Sequence, residues 1–157
     1  MGEYENVDNK EEIATLLVDD YQETFFVVDT LLNNEASRAK YFYNIEFENS
    51  PMVAVEKFKK DPLKYKLLIT DYEMPYIKGD EVIATLRKLN PDIKVIAISA
   101  WLDSYSKQNS SLIKEIFESS EPPTVAIEKP FPADFDLIVD SVIDGTNEKN
   151  LYMTSTE

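Results

Sequence analysis

Four short apolar runs in this chain each end in a side chain that can do chemistry. Ile13-Ala14-Thr15-Leu16-Leu17-Val18 stops at Asp19-Asp20, and Leu67-Leu68-Ile69-Thr70 stops at Asp71. Val95-Ile96-Ala97-Ile98 is followed by Ser99, and Val125-Ala126-Ile127 by Glu128-Lys129-Pro130. Three carboxylates brought to one place repel each other unless a cation neutralises them. The chain contains no histidine and no cysteine, so a cation there would meet only hard oxygen ligands, which suit Mg²⁺. The hydroxyl of Ser99 and the ammonium of Lys129 suit a second, anionic guest. A metal, a lysine, a hydroxyl and a spare carboxylate amount to a phosphoryl site. In such a site the carboxylate can be the nucleophile and form an acyl phosphate.

Each piece also has an ordinary reading. An acid pair after a strand often only opens a polar loop. Ser99 is equally placed to cap a helix, and Lys129-Pro130 reads as a solvated turn. Placement after four successive predicted strands is what joins the pieces.

The elements between those ends must bring them together. Phe25, Val28, Leu31 and Leu32 have helical spacing within Gln22 to Asn33, and Asn33-Asn34 stops that run. Tyr43, Ile45 and Phe47 alternate with polar residues, the period of a half-buried strand. Ser50-Pro51 is an N-cap with proline at the first helical position, opening a helix to about Lys60 that Asp61-Pro62 ends. Past Gly79, Val82, Ile83, Leu86 and Leu89 form another helical stripe, stopping before Asn90-Pro91. Leu112, Ile113, Ile116 and Phe117 predict a further helix, and Phe135, Ile138, Val139 and Val142 the last, closed by Gly145. Five strand-helix pairs imply an α/β fold: a five-stranded parallel sheet with helices on both faces. In such sheets the ligand site lies at the carboxyl ends of the strands, near the point where strand order reverses.

Composition narrows the function. At 157 residues with 43% hydrophobic content, one domain is expected. We divide it into an acidic arm over 1–12, the domain over 13–145 and a tail over 146–157. No apolar run approaches the roughly 18 residues of a membrane span, and the acidic start lacks a signal-peptide layout. Asn6 breaks the myristoylation pattern, and Asn109-Ser110-Ser111 is read as a chance sequon. Absence of cysteine excludes disulfides and thiolate sites and fits the cytoplasm. Absence of histidine excludes His-based triads and a phosphohistidine-carrier role. A net charge of −14 argues against nucleic acid or an anionic membrane as partner.

From about Ile13 to Ile143 the chain resembles the receiver domain of two-component response regulators. Its marks are "LLVDD", "LLITDYEMP" followed by Gly79, "VIAISA" and "EKPF". The resemblance implies a flavodoxin-like (βα)5 fold with strand order 2-1-3-4-5. It implies that Asp71 is the phosphoacceptor, taking a phosphoryl group from a phosphohistidine on a partner kinase or phosphotransfer protein. It also implies that Asp20, Asp71 and the backbone carbonyl of Glu73 hold Mg²⁺ directly, with Asp19 helping through water. Ser99 would bind a phosphoryl oxygen, Lys129 would pair with Asp71 or its phosphate, and Lys129-Pro130 would be cis. The output would be a conformational shift read by a downstream protein, with no enzymatic turnover beyond self-phosphotransfer and autodephosphorylation. Two positions depart from the pattern: Ala126 stands where many receivers carry an aromatic residue, and Trp101 lies two residues past Ser99. With no DNA-binding or catalytic segment expected after the last helix, the reading is a stand-alone receiver. The alternatives are a haloacid-dehalogenase-type phosphohydrolase, which wants Asp-x-Asp where Asp19-Asp20 are adjacent, and a degenerate receiver that binds a partner without phosphorylation.

Overall fold

The computed structural model describes residues 9–74, 77–100, 116, 118–119, 121–147 and 151–153. Its elements are β1 (Glu12–Val18), α1 (Glu23–Asn33), β2 (Phe42–Glu48), α2 (Pro51–Lys60), β3 (Leu67–Asp71), α3 (Gly79–Leu89), β4 (Lys94–Ser99), β5 (Val125–Glu128), α4 (Phe135–Asp144) and β6 (Leu151–Met153). The strands form one sheet in the order β2-β1-β3-β4-β5-β6, parallel throughout. The first five strands stand in the expected order 2-1-3-4-5, the flavodoxin-like arrangement.

The sixth strand is a difference from expectation. Leu151–Met153 falls in the expected tail, yet it lies alongside β5 in parallel register. Three residues are too few to show a hydrophobic period, so nothing in the sequence marks them. Of the predicted helix around Leu112, Ile113, Ile116 and Phe117, only Ile116 is among the described residues; it is helical and buried.

Alternate residues of a strand face opposite sides of a sheet, and both sides are covered here. On one, Ile13, Leu17, Ile69, Ile96, Ile98 and Ile127 pack with Val28 and Leu32 of α1 and Phe135, Val139 and Val142 of α4. On the other, Leu16, Val18, Leu68 and Val95 meet Ala54 and Phe58 of α2 and Val82, Ile83 and Leu86 of α3. Burial on both faces is why the strands read as near-continuous apolar runs. No helix among the described residues is long and apolar enough to cross a membrane.

The helices start and stop for local reasons. Ser50 Oγ accepts the Val53 N–H at 3.3 Å and Pro51 opens α2. Asp80 and Glu81 in the first turn of α3, with Arg87 and Lys88 in its last, complement the helix dipole. Gly145 ends α4 in the left-handed region, φ 71°, which a residue with a Cβ adopts only at a cost. Down α4, Asp136, Asp140 and Asp144 bind the segment between α1 and β2. Asp136 accepts from the N–H and guanidinium of Arg38. Asp140 accepts from the Lys40 N–H at 2.8 Å and the Tyr43 hydroxyl at 2.7 Å. These bonds fix the start of edge strand β2 against α4.

Candidate functional site

Register brings the acids together. Val18 of β1 lies opposite Thr70 of β3, so the residues that follow, Asp19 and Asp71, leave the sheet side by side. One carboxylate oxygen each from Asp19, Asp20 and Asp71 lies within 4.8 Å of the others. Asp19 is fully buried, Asp71 is 5% exposed and Asp20 is open to solvent.

Asp19 is held on every side. Its Oδ1 accepts the Tyr21 N–H at 2.9 Å, and its Oδ2 accepts the Thr24 hydroxyl at 2.8 Å and Lys129 Nζ at 2.7 Å. Buried carboxylates persist when paired and hydrogen-bonded in this way. Asp71 is less well served. Its Oδ1 accepts the Glu73 N–H at 3.3 Å, and Lys129 Nζ stands 3.8 Å from its Oδ2. Burial pushes the Asp71 carboxyl up to about 7, with Asp19 and Asp20 adding repulsion against the pull of Lys129. Asp20 is also pushed up, by partial desolvation at the rim and by Asp19 beside it. Among the described residues, the three carboxyls of the cluster thus face one ammonium, that of Lys129.

The loop after Asp71 is tied down by backbone. The Tyr72 N–H donates to the Ile98 carbonyl at 2.9 Å and the Gly79 N–H to the Tyr72 carbonyl at 3.0 Å. A Cβ on Gly79 would lie 2.7 Å from both the Asp71 carbonyl oxygen and the Tyr72 Cα, so only glycine lets α3 begin this close. On the other side, the Lys129 N–H donates to the Ser99 carbonyl at 2.9 Å, joining the ends of β4 and β5. The Lys129–Pro130 peptide is cis, the isomer the resemblance implies.

The structure thus gathers Asp19, Asp20, Asp71 and Lys129, places buried Ser99 at the adjacent strand end, and brings Glu73 in through its N–H. Lys129 sits nearer Asp19 than Asp71. Thr24, which holds Asp19, is not among the residues singled out from sequence; its only signal is a hydroxyl in the first turn after the acid pair. Ala126 is fully buried in β5, and Trp101 lies outside the described residues.

A parallel α/β sheet with an acidic cluster and a lysine at its carboxyl edge has these groups where such sheets hold their ligands. The family model of the response regulator receiver domain matches residues 15–121, and the chain belongs to that family of signalling switches. Among solved structures, a response regulator receiver domain protein (CheY-like) from Methanospirillum hungatei is 20% identical, with a TM-score of 0.66, over 87% of this chain and 97% of that one. A receiver domain protein from Clostridium thermocellum is 19% identical, TM-score 0.66, covering 85% of this chain and 95% of that one. The response regulator domain of CheB from Thermotoga maritima is 20% identical, TM-score 0.62, over 87% and 96%. At these identities the likeness is one of fold. A comparison with curated proteins gives no match.

Proposed function

We propose that the chain is a phosphorylation-operated switch in which Asp71 accepts a phosphoryl group from a phosphohistidine on a partner kinase or phosphotransfer protein. The supporting observation is the acidic cluster itself, three carboxylates within 4.8 Å arranged around one ammonium. An Asp71 carboxylate oxygen attacks phosphorus, the P–N bond breaks, and its electron pair returns to the imidazole nitrogen. The product is an acyl phosphate. Attack of water on phosphorus later returns inorganic phosphate and the free carboxylate.

The donor set fits Mg²⁺. Two of the three carboxyls are pushed up by burial and mutual repulsion, an excess that a hard cation relieves. Asp20, Asp71 and the Glu73 carbonyl would hold it, with Asp19 joined through water. When bound, it would neutralise charge on the phosphoryl oxygens. The chain's own groups do the rest. Lys129 offers its ammonium to the phosphorylated Asp71, and Ser99 offers its hydroxyl to a phosphoryl oxygen. Thr24 and the Tyr21 N–H keep Asp19 in place. The outcome is a shift between two conformations that a downstream protein reads.

Incubation with acetyl phosphate and Mg²⁺, followed by intact mass measurement, tests this reading. One added phosphoryl group, lost when EDTA replaces Mg²⁺, is the expected result. Steady hydrolysis of p-nitrophenyl phosphate with no phosphorylated protein would favour a phosphohydrolase instead.

A further inference from the structure

The geometry points to β6 as a releasable strap over the edge of β5, set free when Asp71 is phosphorylated, so that the uncovered edge can pair with an extended segment of a partner protein. This inference rests on the switch reading above and names the surface through which it would act.

Three observations converge. First, β6 is short and at the rim. Leu151, Tyr152 and Met153 pair with Val125, Ala126 and Ile127, three residues of β5 that are fully buried. The entropy of ordering three residues nearly matches what a few ladder bonds return, so such a strand detaches cheaply. Second, β5 is joined to the site at its carboxyl end. Glu128 lies opposite Ser99, and the next residue, Lys129, donates its N–H to the Ser99 carbonyl while its ammonium serves the acidic cluster. A pull on Ser99 and Lys129 by a new phosphoryl group is a pull on β5, the strand that β6 rides on. Third, there is open space where the chain leaves α4. Gly145, at φ 71°, and Asn147 line a cavity of about 690 Å³ with Arg87, Glu121 and Pro122.

The occupant follows from what sits there now. β6 is an apolar-aromatic-apolar tripeptide in parallel register, which defines the kind of segment the β5 edge accepts. Strand addition to an exposed edge gives affinity through main-chain bonds and specificity through alternate side chains.

Hydrogen exchange read by mass spectrometry tests the strap in the full chain, with and without beryllium fluoride and Mg²⁺. Peptides covering 125–127 and 151–153 should exchange roughly tenfold faster with the phosphoryl mimic, and Asp71→Asn should lose the response. Only alternate residues of a parallel strand bond to a given neighbour, so Leu151→Pro and Tyr152→Pro between them remove a ladder bond. One of the two should show fast exchange at 125–127 without any mimic. A labelled synthetic peptide of residues 148–157 should bind the mimic-activated protein and that proline variant more tightly than the resting chain. If intact mass shows a phosphoryl group on the protein but exchange at 125–127 and 151–153 is unchanged, the strap is wrong and the switch stands. If no phosphoryl group is accepted, the switch reading fails and the strap falls with it. Equal binding of the peptide to resting and activated protein would also overturn it.

Discussion

Lys129 Nζ lies 2.7 Å from Asp19 and 3.8 Å from Asp71, so one ammonium serves two carboxylates and serves them unequally. Asp19 anchors it. Asp71 has the weaker hold until it gains charge, and a phosphoryl group would supply that charge within reach of a lysine already in place. The resting geometry is therefore stable and poised at once.

Lys129→Met should cost about 3 kcal/mol of stability near pH 8, because it leaves the buried Asp19 carboxylate without a cation. Urea unfolding of the two proteins measures the loss. Unchanged stability near pH 8 would mean that Asp19 does not depend on this pair.

Thr24 supplies Asp19 with a buried hydroxyl bond of 2.8 Å. Thr24→Val keeps the shape and removes the donor, and should cost about 2 kcal/mol, the usual range for a bond to a charged group. Thr24→Ser should recover most of it. The paired comparison separates the hydroxyl from packing.

Gly79→Ala places a Cβ against the backbone of Asp71 and Tyr72. Neither contact can swing aside as a flexible side chain would, so the start of α3 must move. We expect a loss of about 1–3 kcal/mol and slower phosphorylation by acetyl phosphate, since the displaced backbone is that of the acceptor itself. Normal stability with normal phosphorylation would contradict this placement.

The raised Asp71 carboxyl, from 3.8 to about 7, fixes the sign of a pH effect. Between those values the folded state holds a proton that the unfolded state has released, so stability falls as pH rises, by up to about 1.4 kcal/mol per unit. The penalty is absent below the unfolded value and complete above the folded one. In EDTA, Asp71→Asn should therefore be more stable than the parent chain above pH 7, and the gap should close toward pH 4. Mg²⁺ should narrow the gap above pH 7. A gap independent of pH would show that Asp71 does not titrate in this window.

Much of this was legible because strand ends are written locally. The apolar runs before Asp19, Asp71, Ser99 and Lys129 are bounded by abrupt changes of polarity, and Ser50-Pro51, Asn90-Pro91 and Gly145 punctuate the helices as observed. What escaped depends on contacts distant in sequence. The Thr24 bond to Asp19, the preference of Lys129 for Asp19, and the grip of Asp136 and Asp140 on Arg38, Lys40 and Tyr43 are choices among several polar partners that only the packed chain makes. β6 escaped for a different reason. Three residues borrow their conformation from the edge they join.

Locating the modified residue decides whether phosphorylation falls on Asp71. The protein would be treated with acetyl phosphate and Mg²⁺, reduced with borohydride to convert an aspartyl phosphate to homoserine, digested, and sequenced by mass spectrometry. Homoserine at position 71, and no modified residue in Asp71→Asn, is the predicted result. Homoserine at Asp19 or Asp20, or an Asp71→Asn variant that still takes up one phosphoryl group, would contradict the assignment.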